Sequence, residues 1–268
     1  MAKLALGLAC FAVVCVAGLY FFQRALIYQP DSEAPSTEAF AQSGFRPITV
    51  TTADGVALVF WLRKPATPDG VTLVLFHGNA GHHGDRLFLD DKLHRAGLGL
   101  ALASYRGYGG NPGTPSEAGL YADGRAIVDA LDAEGIAPRR TVLWGESLGA
   151  GVVTRLAAER PSFRAVILQA PFTSLIELGG EIFPLLPMRL LARERYDNLS
   201  RIGAIAAPLL IVHGEADEVV PVGHGRWLFA AASQPKTAVF IPGARHNDLA
   251  DFGLVEILLA FLAKLPPE

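Results

Sequence analysis

The chain has 268 residues, of which 51% are hydrophobic, and a formal net charge of −3 at pH 7. This length suits one large α/β domain, and the weakly acidic charge, without a basic patch, gives no reason to expect a nucleic-acid partner. Both cysteines, Cys10 and Cys15, lie in one apolar segment near the N-terminus. The rest of the chain therefore has neither a disulfide nor a thiol site.

That apolar segment runs from Leu4 to Phe22, nineteen residues without a charge, between Lys3 and Arg24. It is long enough to span a bilayer as a helix. The alternative is a cleaved secretory signal, but residues 19–22 continue the run with bulky side chains where a signal would have a small-residue cleavage site. We therefore predict an uncleaved transmembrane anchor over residues 1–23, and the flanking charges favour a domain on the outer face.

Residues 24–268 alternate apolar strands with helices. A Ser-, Glu-, Ala- and Pro-rich stretch, residues 30–43, is interpreted as a tether or loop outside the core, and Asp54-Gly55 joins the two strands of a predicted hairpin. Further strands are predicted at 72–76, 99–104, 141–144, 165–169, 208–212 and 238–241, with helices at 86–96, 116–132, 150–160 and 249–265. This order predicts an α/β fold, with a mainly parallel eight-stranded sheet covered on both faces.

One long segment, residues 171–206, interrupts the alternation. It is apolar, without a strand pattern, and contains Pro184 and Pro187. Excursions of this length are usually functional or disordered, and the apolar content argues against disorder. We predict a small helical lid, with the substrate contacted by Phe172, Phe183 and Met188. A helix pair packed over the sheet would account for the segment equally well.

The pattern Gly-x-Ser-x-Gly occupies residues 145–149, between a predicted strand and a predicted helix. A serine at this junction sits on a tight turn, and Gly145 and Gly149 omit the side chains that would clash where strand and helix pass closely. The turn lifts the Ser147 hydroxyl above the sheet. A glycine-rich turn with an incidental serine is the alternative, and the flanking strand and helix favour a nucleophile.

A nucleophilic serine needs a base, and the base needs a group that orients it. Asp217 follows a predicted strand, and His246 lies in the last strand-to-helix loop. We therefore predict a triad in which Asp217 orients His246 and His246 takes the proton of Ser147. Other histidines compete as the base, and one of them, His213, is interpreted as structural.

An oxyanion requires donors that are already in place. The backbone N–H of Leu148 follows the nucleophile directly. The second predicted donor is the N–H of Asn79, in the loop His77-Gly78-Asn79-Ala80 after the third strand.

Two further groups of residues are interpreted as structural. Residues 82–94 contain His and Asp at spacings that match no standard zinc pattern. The glycines between 107 and 113 lack the Gly-Lys-Ser/Thr ending of a phosphate loop. We predict neither a metal nor a cofactor.

From about Arg24 to its C-terminus the chain resembles serine hydrolases of the α/β-hydrolase superfamily. It is similar in particular to membrane-anchored abhydrolase-domain proteins, which include acyl-protein thioesterases, and to serine aminopeptidase-like hydrolases. The matching motifs are Leu26-Ile27-Tyr28-Gln29-Pro30, His77-Gly78-Asn79-Ala80-Gly81, Tyr105-Arg106-Gly107-Tyr108-Gly109, Pro115-Ser116-Glu117, the Gly-x-Ser-x-Gly pattern, Ala170-Pro171-Phe172-Thr173-Ser174 and the loops of Asp217 and His246. Ser104, Asn111 and Arg245 depart from the common pattern without removing a triad residue.

The resemblance implies an acyl-enzyme hydrolase that needs no cofactor. Together with the apolar residues 171–191, it predicts a substrate that is an ester or thioester with an apolar acyl arm. A serine peptidase, an acyl transferase and a non-catalytic binding protein on the same fold are the alternatives.

Overall fold

The computed structural model describes residues 2–266, without the side chains of residues 2, 5, 8, 9, 12, 13 and 15. Met1, Pro267 and Glu268, at the ends of the predicted anchor and domain, lie outside the described residues. The strands are β1 (Gln29–Pro30), β2 (Arg46–Thr51), β3 (Ala57–Arg63), β4 (Thr72–Phe76), β5 (Ala80–Gly81), β6 (Gly99–Ala103), β7 (Thr141–Glu146), β8 (Ala165–Gln169), β9 (Leu209–Gly214) and β10 (Lys236–Ile241). The α-helices are α1 (Ala2–Ile27), α2 (Thr37–Gln42), α3 (Asp90–Arg95), α4 (Glu117–Ala133), α5 (Leu148–Glu159), α6 (Leu175–Ile182), α7 (Met188–Leu191), α8 (Val222–Ala231) and α9 (Leu254–Leu262). Turns of 3₁₀ helix cover His83–Leu89, Pro138–Arg140 and Ile202–Ala204.

The apolar strands form an eight-stranded sheet in the order β10-β9-β8-β7-β4-β6-β3-β2. Neighbouring strands from β10 to β6 are parallel, whereas β3 is antiparallel to both β6 and β2. The central strands are buried along their whole length, as expected for a sheet covered on both faces. The predicted α/β fold, with an antiparallel hairpin at the start of a mainly parallel sheet, is confirmed.

Helices cover both faces of this sheet. Apolar side chains of α4, α5 and α8 pack on one face, and those of α2, α3 and α9 pack on the other. In an open parallel sheet, ligand sites gather at the carboxyl ends of the strands. The loops after β4, β7, β9 and β10 therefore meet at one edge.

Residues 30–43, predicted as a tether, are partly a helix with a core side chain, so that prediction was wrong. Ser36 caps α2 by accepting a hydrogen bond from the Ala39 N–H (3.3 Å). Phe40 is 1% exposed and stacks on Trp61, with their ring centroids 4.4 Å apart. A helix of six residues is too short to show a hydrophobic period, and its burial depends on a distant strand.

Helix α1 extends to Ile27, past the predicted boundary at residue 23. Among the described residues, no helix reaches the length and hydropathy of a membrane span. The transmembrane anchor therefore stays a prediction. Residues 171–206 contain two short helices, α6 and α7, and a 3₁₀ turn, which are joined by irregular chain.

Candidate active site

The junction of β7 and α5 places Ser147 in a backbone conformation that side chains rarely adopt. Its φ is +50°, and its N–H donates to the carbonyl oxygen of Gln169 (2.9 Å). A Cβ on Gly149 would collide with the carbonyl oxygen of Phe76, and one on Gly145 would meet the carbonyl oxygen of Gly149 at 2.5 Å. Only glycine fits both positions, so β4, β7 and α5 together hold Ser147 on the turn.

The three predicted triad residues are brought together at the carboxyl edge of the sheet. His246 Nε2 lies 3.0 Å from Ser147 Oγ, and His246 Nδ1 lies 2.7 Å from Asp217 Oδ2. Each of the three residues is at most 9% exposed. A competing histidine, His224, is buried on α8, where its Nδ1 accepts a hydrogen bond from the Thr173 N–H (3.2 Å). The arrangement suits proton transfer from serine to an oriented imidazole.

Asp217 is held by four hydrogen-bond donors. Its Oδ1 accepts from the backbone N–H groups of Val219 (2.9 Å) and Val220 (2.7 Å), and its Oδ2 lies 2.7 Å from His246 Nδ1 and 3.2 Å from His213 Nε2. Burial disfavours the carboxylate, but the hydrogen bonds from His213 and His246 outweigh it and hold the pKa of Asp217 well below its usual range. The Asp217 carboxylate is therefore ionised at neutral pH, where its Oδ2 can accept a hydrogen bond from His246 Nδ1.

His213 supports the site although the sequence favoured a purely structural role. Its side chain is fully buried, and Nε2 also lies 2.8 Å from the carbonyl oxygen of Val220, so Nε2 carries the proton that faces both oxygens. Gly225 of α8 passes against the ring, since a Cβ there would lie 2.6 Å from Nδ1. In the sequence, this contact is indicated by the spacing of four residues between His213 and Asp217. Helix α8 itself is not predicted from the sequence.

The predicted oxyanion donors flank the nucleophile. Leu148 is the first residue of α5, so its N–H has no acceptor within the helix. A Cβ on Gly78 would lie 3.6 Å from Ser147 Cβ, which places the Asn79 loop beside the nucleophile. The Asn79 side chain points elsewhere and donates to the carbonyl oxygen of Ile27 (3.0 Å). The backbone N–H of Asn79, the donor predicted from the sequence, has no acceptor within the described residues.

An ion pair that the sequence analysis did not predict supports the same loop. Arg86 binds Glu146 through Nε (3.0 Å) and Nη2 (2.6 Å). Glu146 Oε1 lies 3.3 Å from the position of a Cβ on Gly78. The pair borders a cavity of about 170 Å³ that His246 also lines. Planar pairing of this kind fixes both side chains, and here it packs the nucleophile turn against the loop of Gly78.

The predicted substrate-contacting residues separate into two environments. Phe172 is 2% exposed and packs edge-on against Tyr196 in the core, with ring centroids 6.4 Å apart. Phe183 and Met188 instead line an apolar cavity of about 220 Å³ between α1 and the helices α6 and α7. That cavity is the candidate site for an apolar substrate arm.

Several of the residues interpreted as structural have protein partners, whereas both ring nitrogens of the buried His83 have no hydrogen-bond partner among the described residues. The Gly109 N–H, in the glycine-rich loop 107–113, donates to the carbonyl oxygen of Asp31 (2.7 Å). Asp90 accepts two hydrogen bonds from Arg63, at 2.8 and 2.6 Å. Within the part of the chain that the structure describes, no group of three or more His, Cys, Asp or Glu side chains could hold a metal ion.

Comparisons with known proteins agree with this fold. The family described as "Serine aminopeptidase, S33" matches residues 67–193 and 196–251. An uncharacterized protein of Mycobacterium tuberculosis is 42% identical over 84% of this chain and 81% of its own. The alpha/beta hydrolase domain-containing protein WAV2 of Arabidopsis thaliana is 31% identical over 98% of this chain and 94% of its own. A crystal structure of a Pyrococcus furiosus esterase covers 89% of this chain and 98% of its own, with a TM-score of 0.72 at 19% identity.

The depressed pKa of Asp217 predicts a pH-dependent contribution to stability. A carboxyl whose folded pKa is lowered stabilises the fold above its unfolded pKa, about 3.9, and loses this contribution as the pH falls towards the folded value. We expect Asp217→Asn to lower the free energy of unfolding at pH 7, and the difference from wild type to shrink below about pH 4. Denaturant unfolding at several pH values measures it.

The matched control is Glu218→Gln, which changes an exposed carboxyl in the same loop. It should stay within about 0.5 kcal/mol of wild type at pH 7. A wild-type advantage over Asp217→Asn that grew as the pH fell would contradict the assignment.

Proposed function

The chain belongs to the serine aminopeptidase S33 family of α/β hydrolases, and we propose that it cleaves an ester or thioester with an apolar acyl arm, using Ser147 as nucleophile. The hydrogen-bonded line from Ser147 through His246 to Asp217 carries the proposal. The distances in this line lie within the range for general-base activation of a serine. A non-catalytic binding protein would have no need of this geometry.

In the proposed reaction, Ser147 Oγ attacks the carbonyl carbon while His246 Nε2 takes its proton. Asp217 keeps the proton on Nδ1 and stabilises the imidazolium. The negative charge on the carbonyl oxygen is bound by the N–H groups of Leu148 and Asn79. His246 then protonates the departing alkoxide or thiolate, which leaves an acyl-enzyme. Water, deprotonated by His246, releases the acid and frees Ser147.

A serine peptidase is the alternative, because the family is named for an aminopeptidase. An aminopeptidase needs a carboxylate for the free amine of its substrate. Glu194 borders the apolar cavity, but it already binds Arg24 (2.5 Å), the Tyr28 hydroxyl (3.0 Å) and the Glu117 N–H (2.5 Å). This carboxylate has its partners, which favours an acyl arm over an amine in the cavity.

We also propose that residues 1–23 anchor the enzyme in a membrane, with the catalytic domain on the outer face. The uncharged run from Leu4 to Phe22 and its basic flanks support this proposal. A relative in Saccharomyces cerevisiae, 30% identical over 96% of this chain and 94% of its own, is named as a membrane protein. Secretion after signal cleavage is the alternative.

The first prediction separates an enzyme from a binding protein. A fluorophosphonate probe should label the wild type at Ser147, and Ser147→Ala should abolish labelling and reduce turnover by about 10⁶-fold. Asp217→Asn should lower kcat by roughly 10⁴-fold, because the amide favours the wrong imidazole tautomer. The control is Ser233→Ala, a change of an exposed serine, which should label like wild type. Equal labelling of Ser147→Ala would mean that the nucleophile is another residue.

The second prediction concerns the substrate class. Lengthening an ester from acetyl to hexanoyl adds four methylenes, each worth up to about 0.8 kcal/mol when buried. The gain in kcat/KM should approach about a hundredfold. Met188→Ala and Phe183→Ala should flatten this dependence because both side chains line the cavity. A flat wild-type profile together with efficient cleavage of aminoacyl amides would favour the peptidase.

The third prediction concerns the membrane. The full-length chain should stay with membranes through high-salt and alkaline washes, since apolar burial rather than charge holds a spanning helix. Release by salt would contradict a spanning anchor. A natural mature protein that begins near Gly18 or Leu19 would show a cleaved signal instead.

A further inference from the structure

We propose that helix α1 forms one wall of the acyl-binding site, so that residues of the predicted anchor select the acyl chain. This inference rests on the proposed acyl hydrolysis. It assigns to Leu19 and Tyr20 a specificity role in addition to anchoring.

Two sets of apolar side chains enclose the cavity of about 220 Å³. The wall from α1 consists of Leu19, Tyr20, Leu26 and Ile27, with Gln23 among them. The wall from residues 175–194 includes Leu175, Leu178, Ile182, Phe183, Leu186 and Met188. An apolar cavity with few polar groups suits a hydrocarbon chain, whose burial is favourable without hydrogen bonds.

Directional contacts fix the two walls to each other. Gln23 donates to the carbonyl oxygen of Leu191 (3.2 Å) and accepts from the Arg193 N–H (2.7 Å). Arg24 binds Glu194, whose side chain is 2% exposed. Separating the buried Glu194 carboxylate from Arg24 would leave an unpaired buried charge. Helix α1 and residues 175–194 therefore keep a defined spacing.

The cavity also borders the catalytic end of the molecule. Ile27 lines it, and the carbonyl oxygen of Ile27 accepts the hydrogen bond from the Asn79 side chain (3.0 Å). Asn79 follows Gly78, which lies beside Ser147. The α1 wall of the cavity is therefore linked to Ser147 through two neighbouring contacts, the one between Ile27 and Asn79 and the one between Gly78 and Ser147.

The neighbouring residues of α1 provide matched controls. Phe21 and Phe22 are 69% and 70% exposed and do not line the cavity. Leu19 and Tyr20 precede them directly and do line it. Changes at positions 19–20 and 21–22 therefore alter the hydrophobicity of the same helical turn to a similar degree, but only the first pair alters the cavity.

The experiment measures kcat/KM of the full-length protein in detergent for acetyl and hexanoyl esters. We expect Leu19→Ala and Tyr20→Ala to lower the hexanoyl-to-acetyl ratio by about tenfold, the value of a few buried methylenes. Phe21→Ala and Phe22→Ala should keep the wild-type ratio. Tyr20→Phe, which retains the ring, should keep it too.

The outcomes separate this inference from the proposed function. If Met188→Ala lowers the ratio but Leu19→Ala and Tyr20→Ala do not, the role of α1 is overturned while acyl hydrolysis stands. An equal loss in the Phe21→Ala and Phe22→Ala variants would also overturn it, because the effect would then belong to the helix as a whole. A wild type without chain-length dependence would instead remove the proposed substrate class.

A second measurement does not depend on how the variants fold. A long-chain alkyl fluorophosphonate with a terminal diazirine is bound to Ser147 of the wild type and irradiated. Mass spectrometry should locate crosslinks within residues 19–27 as well as in the lid segment. Crosslinks confined to the cavity that His246 and Arg86 border would overturn the proposal.

Discussion

The close approach of α5 to the middle of the sheet is the constraint on which the site depends. Gly145 and Gly149 allow the helix to pass against β4, and the chain must then turn through Ser147 at a φ of +50°. Such strain persists only where the surroundings overdetermine it, and here the buried strands on both sides do so. The turn places the hydroxyl at the carboxyl edge of the sheet, beside His246 and the loop of Gly78 and Asn79.

Buried polar contacts hold the loops that surround this turn. Arg106 binds Asp54 in the hairpin (2.6 Å) and Asp123 in α4 (2.7 Å), which ties its loop to two elements. In the same loop, the Tyr108 hydroxyl donates to the carbonyl oxygen of Asn79 (2.7 Å). Asp123 is fully buried, so separating it from Arg106 would leave an uncompensated charge, and this pair holds the loop from which Tyr108 contacts Asn79.

The triad and the apolar cavity are built from different parts of the fold. The triad is supported by strand ends and by the four donors around Asp217. The apolar cavity, in contrast, lies between α1 and short helices whose outer side chains are exposed, among them Leu185 and Leu190. A buried triad beside an apolar cavity whose walls are tied together suits the proposed enzyme, which would hold a carbonyl at Ser147 and an apolar chain in the cavity.

Local pattern in the sequence predicted the strands and the serine turn, because strand burial and the glycine requirement act over a few residues. Asp217 and His246 were predicted from their positions after two later strands and from their order in the chain. Three features depended on the tertiary structure: the pairing of Arg86 with Glu146, the support of Asp217 by His213, and the burial of Phe40. Arg86 and Glu146, like Phe40 and Trp61, lie far apart in the chain, and no periodicity records such contacts. His213 and Asp217 are only four residues apart, but their contact depends on the turn that follows β9. The wall that α1 contributes beside residues 175–194 likewise exists only once the two segments pack, because it is a space between them rather than a property of either.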